Sequence, residues 1–303
     1  MPEITTQRIS RELFIAAVAG GLGPVEPWVT DRLAEILEED ELGTGECVFD
    51  VGDSPDYFYF LRHGRVEIVG GGAPPFTIDS PRAFGLLDGL AERPRTRKVT
   101  ALAPTLLLRV RVDAWLELLE DSFDLARMAL WRGIRNVAAL EERSWASHPG
   151  LTPPATAIVT AGKALDAVDR LTVLMQVPYL RGGGAQPISD LASVCREVSY
   201  GPDEPVLIRG GRRDELFVIV EGRVSAQRGS PDVAWKGGPG QLVAGVATLG
   251  ERGRDWEARA VTATRVLTFS VEDWFDVMEE NFELVRATLE ALATEMERLG
   301  GEP

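Results

Sequence analysis

A chain of 303 residues, 45% apolar and 26% charged, is long enough for two ordinary domains, and its composition is globular rather than disordered. Its formal charge of −15 at pH 7 argues against a general nucleic-acid surface, because binding a phosphate backbone needs a basic footprint. Two cysteines, Cys47 and Cys195, are too few for a disulfide framework or a metal cluster and point to a reducing, cytoplasmic location.

In chain order, the opening MPEITTQRIS has no basic start followed by an apolar core, and no apolar run reaches spanning length, so neither leader nor membrane segment is expected. Residues Arg11 to Leu37 are helical in pattern but broken by Gly20, Gly21, Gly23, Pro24 and Pro27, which predicts two or three short helices. Val29, Leu33, Ile36 and Leu37 recur at helical spacing ahead of an acidic exit, Glu38 to Glu41. From Cys47 to Val69 the period becomes two, predicting strands at Tyr57–Leu61 and Arg65–Val69 around the turn Arg62-His63-Gly64. Gly70 to Pro75 reads as a loop.

Phe84 to Ala101, FGLLDGLAERPRTRKVTA, reads as a glycine-opened short helix running into a basic strand. A helix N-terminus presents unpaired backbone N–H groups, and an arginine fork from the next strand completes a seat for an anion. Alternation places Arg93, Arg95 and Arg97 on one face. Beyond it, Thr105–Val112 reads as a strand, Asp113 opens a helical stretch through Leu119, and Ser122 caps a helix from Phe123 to about Trp145. Residues 148–156, with Pro149, Pro153 and Pro154, form a linker.

The pattern then returns. Gly52 and Gly210, Gly64 and Gly222, and Glu46 and Glu204 are each 158 residues apart. VDAWLELLEDSFDLARMAL, Val112 to Leu130, recurs as VEDWFDVMEENFELVRATL, Val271 to Leu289, at an offset of 159. A repeat that holds glycines, aromatics and helix starts together predicts a duplicated domain, with units at 1–147 and 157–303 on either side of the linker.

GECVFDVGDSPDYFYFLRHGRVEIV, Gly45 to Val69, and the seat that follows resemble the cyclic-nucleotide-binding domain. Phe84, Gly85, Leu87, Leu90, Pro94, Arg95 and Val99 fit its phosphate-binding cassette. The resemblance implies an α+β, mainly β fold of two β-rolls or jelly rolls, each flanked by helices. It also implies that Leu86 stands where the family places the glutamate that binds the ribose hydroxyl. An unpaired buried hydroxyl costs about 1–3 kcal/mol. The candidate first pocket comprises Phe84, Gly85, Leu86, Leu87, Arg95, Thr96, Arg97 and Lys98. Trp131, on the following helix, is the candidate for a ring stacked over a base. The second pocket comprises Gly245, Val246, Arg254, Glu257 and Arg259 and is expected to be degenerate. Aligning Val261-Thr262-Ala263 with Val99-Thr100-Ala101 places Glu257 in the position of Arg95 and Val246 at the ribose position, so that a carboxylate faces any phosphate.

No catalytic or metal site is expected. His63 and His148 have no ligand partners in the pattern, and there is no Walker-type phosphate loop or Gly-x-Ser-x-Gly elbow. These features predict a non-catalytic regulatory or scaffolding protein that acts through a protein partner of unknown identity, with cyclic-nucleotide binding impaired and no resident cofactor. The alternative is a cyclic-nucleotide sensor, or a sensor of another anion, that uses the first domain. A transcription regulator ranks behind both, because no helix-turn-helix is legible and the chain is acidic. The apolar seam Phe282, Val285, Leu289, Leu292, Met296 and Leu299 steps by three and four, which predicts a homodimer through the terminal helix; Ala126, Leu130, Gly133, Val137 and Leu140 form the matching seam.

Overall fold

The computed structural model describes residues 27–147, 162, 164–229 and 233–300. The helices expected before residue 27 and the linker at 148–156, with His148, lie outside the described residues. The chain divides into two compact units, with the boundary between Ala129 and Leu130.

The first unit opens with helix α1 (Pro27–Glu35) and strand β1 (Leu37–Leu42). The acidic stretch expected to close a helix is therefore a strand. Its carboxylates have partners across the ladder: Glu38 lies opposite Arg109, which bonds it at 2.8 Å. Strands β2 (Cys47–Phe49), β3 (Tyr57–His63), β4 (Arg65–Gly70), β5 (Ala73–Asp79) and β6 (Arg82–Phe84) follow. After them come the short helix α2 (Leu86–Leu90), β7 (Arg97–Ala101), β8 (Thr105–Arg111), α3 (Val112–Asp121) and the long helix α4 (Phe123–Ser147).

Two four-stranded antiparallel sheets, β1-β8-β3-β6 and β2-β7-β4-β5, form the first β-roll. Their inner faces enclose Phe49, Tyr59, Leu61, Val66, Ile68, Ile78, Phe84, Val99 and Leu107. The loop expected at residues 70–75 is instead a hairpin turned by Gly71 and Gly72, at φ +65° and +73°. Pro74 and Pro75 are accommodated because β5 is an edge strand, where a missing N–H breaks no inner ladder. Strand β3 also runs two residues further than expected, so the turn narrows to Gly64.

The second unit contains the C-terminal part of α4, helices α5 (Ala167–Leu174) and α6 (Ala185–Val194), and strands β9 (Arg196–Tyr200) and β10 (Pro205–Leu207). Strands β11 (Glu215–Glu221), β12 (Val224–Arg228) and β13 (Val233–Gly237) are followed by 3-10 turns at Gly245–Leu249 and Gly253–Asp255. Strands β14 (Trp256–Ala260) and β15 (Thr264–Ser270) and helices α7 (Val271–Glu280) and α8 (Phe282–Arg298) complete it. Its sheets are β10-β14-β12-β13 and β9-β15-β11.

The duplication is visible in backbone detail. A Cβ on Gly64, at φ +102°, would lie 2.5 Å from Thr105 Oγ1; one on Gly222, at φ +89°, would lie 2.5 Å from Thr264 Oγ1. Both turns therefore require glycine, for conformation and for space. Helix α4 is the exception to the symmetry. The sequence assigned it whole to the first unit, but Ala138 belongs to the core of the second roll and Trp145 packs against that core.

Part of the seam expected to join two chains packs within this one. Val285, Leu289 and Leu292 are buried, with Leu292 against Gly133, and Thr288 donates to the Tyr179 carbonyl at 2.9 Å. Phe282, Met296 and Leu299, the other residues of that seam, are half-buried.

Candidate anion seats

The first seat forms where β6 ends. Gly85 takes φ +80° as the N-cap of α2, a conformation that bends the chain out of the sheet and into the helix. Phe84 stacks on Tyr59 at 5.3 Å between ring centroids, and Phe49 lies tilted against both. Arg95 enters this aromatic cluster and is 2% exposed. Its guanidinium lies 4.2 Å from the Phe49 ring centroid. Nη1 donates to the Gly85 carbonyl at 2.5 Å, and Nη2 donates to the Tyr57 carbonyl. Nε is buried without an acceptor. Burial pulls the Arg95 guanidinium below its usual range, against the attraction of Tyr59, Asp88, Asp56 and Asp53.

The other basic side chains separate. Arg93 reaches Asp88 Oδ1 at 3.0 Å, and Thr96 Oγ1 donates to the same oxygen at 3.3 Å. Asp88 thus neutralises part of the basic face, a role its spacing along α2 did not reveal. Lys98 leaves the seat for Asp50 at 2.7 Å and holds that carboxyl below its usual range. Arg97 points inward, 9% exposed, with its guanidinium 5.7 Å from the Phe76 ring centroid and Nη1 buried without a partner. Leu86 and Leu87 are half-buried on α2. Trp131 stacks on Phe275 in the second unit, with centroids 5.5 Å apart, so its ring is used there.

Strand pairing corrects the expected alignment of the second seat. Val66 opposes Ala101 and Val224 opposes Ala260, offsets of 158 and 159. Gly52 N donates to the Arg95 carbonyl and Gly210 N to the Arg254 carbonyl. Phe60 pairs with Ala83 as Val218 does with Leu242. The offset is therefore 159 across the whole seat. Arg254 stands for Arg95, Trp256 for Arg97, Glu257 for Lys98, Ala244 for Gly85 and Gly245 for Leu86. The extra residue lies before the seat, between β12 and the Val218–Leu242 bridge, not beside Glu257.

The chemistry of the second seat differs accordingly. Glu257 accepts from Gln227 Nε2 at 2.6 Å, Arg259 donates to the Asp203 carbonyl at 2.7 Å, and Arg254 is exposed. Trp256, fully buried, occupies the inward position. Val246 and Ala247 are buried at the 3-10 turn, and the Ala247 N–H donates to Glu141 Oε2 at 3.1 Å. Glu141 was not among the sequence candidates. Its signal was a glutamate one heptad after Ile134 and four residues after Val137, both fully buried on α4. Among the described residues, no group of three or more His, Cys, Asp or Glu side chains is placed to hold a metal ion. No helix of the described residues is long and apolar enough to cross a membrane.

Two tandem β-rolls, each with a short helical turn facing a strand that carries arginine or its replacement, define a protein built from a duplicated β-roll domain. Residues 39–122 and 197–281 each match the cyclic nucleotide-binding domain, and the chain belongs to that family. A cAMP-dependent protein kinase regulatory subunit of Yarrowia lipolytica is 27% identical over 139 residues, 43% of this chain and 37% of that protein. The match thus spans little more than a third of this relative. Among solved structures, the regulatory domain of Toxoplasma gondii PKA with cAMP aligns over 96% of this chain and 97% of its own. Its identity is 16% and its TM-score 0.34. A variant regulatory subunit of a cAMP-independent protein kinase A from Trypanosoma brucei, with cAMP in its A site, aligns over 98% and 92%. It too has 16% identity and a TM-score of 0.34.

Proposed function

We propose that this chain is a non-catalytic regulatory or scaffolding module that acts through a protein partner and is not gated by cyclic AMP or cyclic GMP. The observation that carries this reading is the state of Arg95. Its Nη groups donate to two main-chain carbonyls and its plane covers Phe49, so the fork that would clamp a phosphate is engaged inside the fold. Leu86 offers no acceptor to a sugar hydroxyl, and in the second roll the arginine position is held by the exposed Arg254. The Yarrowia lipolytica relative is by name a regulatory subunit, which supports a regulatory role. The net charge of −15 favours a protein partner over nucleic acid, and the two free cysteines fit a reducing cytosol.

Titration calorimetry with millimolar cyclic AMP and cyclic GMP tests the reading, and no saturable heat is expected. Micromolar binding that disappears in Arg95→Ala would overturn it.

One observation favours a second reading, an anion sensor in the first roll. Arg95 Nε and Arg97 Nη1 are buried donors without acceptors among the described residues. Saturable stabilisation by inorganic phosphate, weakened in both Arg95→Met and Arg97→Met, would promote this reading over the first.

A further inference from the structure

The second roll presents two backbone N–H groups at the opening of its 3-10 turn, and the chain itself supplies what meets them. We infer that Glu141 is the resident occupant of the second seat: helix α4 delivers a carboxylate there, closes the seat to free anions and fastens its own C-terminal half to the roll. This inference is independent of whether the first roll binds a nucleotide.

Glu141 Oε2 accepts the Ala247 N–H at 3.1 Å, and the carboxylate also accepts from the Val246 backbone. The residue is 6% exposed, although a solvent-facing glutamate would avoid the desolvation cost. Room for it exists because residue 245 is glycine. A Cβ there would lie 2.3 Å from Glu141 Oε1 and 2.6 Å from Oε2, and Gly245 also sits at φ +55°. Shape and conformation at the seat are thus both matched to an incoming carboxylate.

The same helix face supplies the rest of the closure. Ala138, Glu141 and Trp145 follow each other at steps of three and four, so they lie along one stripe. Ala138 joins the core of the roll. Trp145 meets the Trp256 ring edge-on at 5.6 Å and lies 6.5 Å from Trp235. Beside the stripe, Glu142 pairs with Arg228 at 3.1 Å, both largely buried. Trp145 therefore covers the inward position of β14 while Glu141 takes the N–H groups, as the flat and the charged parts of one ligand would.

Three titratable groups act on the carboxyl from the elements packed around it. Glu295 and Arg298 of α8 bond to each other, and Tyr179 lies between α5 and α6. Burial pushes the Glu141 carboxyl well above the usual carboxylate range and Glu295 adds to this, against the pull of the two N–H groups and Arg298. A carboxyl raised in the folded state contributes stability that is full below its unfolded value of about 4.3 and is lost as pH rises through the folded value.

The test is chemical rescue in the full chain, with formate as the probe. Glu141→Ala should melt several degrees below wild type, and formate should restore the loss saturably where chloride at equal ionic strength does not. Wild type, already occupied, should respond alike to both salts. Equal responses of Glu141→Ala to formate and chloride, or a wild-type melting temperature, would overturn the inference. Should Glu141→Ala not fold, Glu141→Gln keeps the acceptor and the shape. Wild type should then lose stability relative to Glu141→Gln as pH rises above about 4.3, and parallel pH profiles would overturn the assignment.

Discussion

Replacing Arg95 separates a phosphate clamp from a structural cation. Arg95→Ala leaves the Gly85 and Tyr57 carbonyls without their donor inside the first roll, at about 1–3 kcal/mol each if no water reaches them. It also removes the guanidinium from the face of Phe49, a contact worth about 0.5–2 kcal/mol. Against this stands the relief of no longer burying a charge, whose cost shows in the lowered guanidinium pKa and amounts to several kcal/mol. The balance for Arg95→Ala is a loss of about 2–4 kcal/mol, since truncation also leaves a void. Arg95→Met fills most of that void and should lose about half as much. Hydrogen exchange of the amides in β7 and α2 reads the effect locally, so the second unit cannot mask it. Unchanged exchange in Arg95→Ala, together with the loss of a nucleotide-binding heat that wild type shows, would refute this reasoning and make Arg95 a ligand residue.

Other expectations follow from burial and packing. Trp145→Ala should cost the second unit about 2 kcal/mol in urea unfolding, less than a fully buried ring would, because Trp145 is only partly covered. Burial pushes the Cys195 thiol up to about 12, so a thiol reagent at pH 8 should label one cysteine in the native protein, the exposed Cys47, and both in denaturant. Leu292→Glu places a charge against Gly133 where the native side chain is 1% exposed, and should cost at least about 3 kcal/mol. Circular dichroism should show that loss at any protein concentration. A folded variant that merely halves the sedimenting mass would instead restore the dimer.

The duplicated roll was legible because its demands fall on backbone and on alternation. Gly64 and Gly222 cannot carry a side chain, and the strands that follow them, β4 and β12, alternate buried with less buried positions, so both repeats announce themselves in the same places. The acidic strand β1 was not legible. Glu38 to Glu41 have no apolar alternation, and their partners Arg109 and Arg62 lie far along the chain. The second seat was misaligned for a related reason. Apart from its arginine, the second seat carries different residues at the informative positions, with Trp256 for Arg97 and Glu257 for Lys98, so only the ladder fixes the register: Ala258 pairs with Leu207 as Val99 pairs with Phe49. Asp88 and Glu141 were missed because a carboxylate's role depends on what its neighbours bring to it, and spacing within one helix carries no record of that.

The two seats show how one scaffold takes opposite solutions to the same local problem. Each short helical turn at a seat leaves polar groups that packing must satisfy. In the first roll the partner is a cation: Arg95 turns inward and binds the Gly85 and Tyr57 carbonyls, and Asp88 is held by Arg93. In the second roll the corresponding Arg254 faces solvent, Trp256 fills the interior with apolar volume, and the N–H groups meet a carboxylate from α4. Exchanging a buried guanidinium for a buried carboxyl group at one seat requires a matching change at several positions, because an unpaired buried polar group costs more than either complete arrangement. Gly245, Trp256, Trp145 and Glu141 therefore behave as one set. A single substitution such as Trp256→Arg, which restores the first-seat residue alone, should destabilise the second unit instead of recreating an anion site. Melting temperature together with phosphate titration of that variant distinguishes the two outcomes, and a folded, phosphate-stabilised Trp256→Arg would show that the positions act separately.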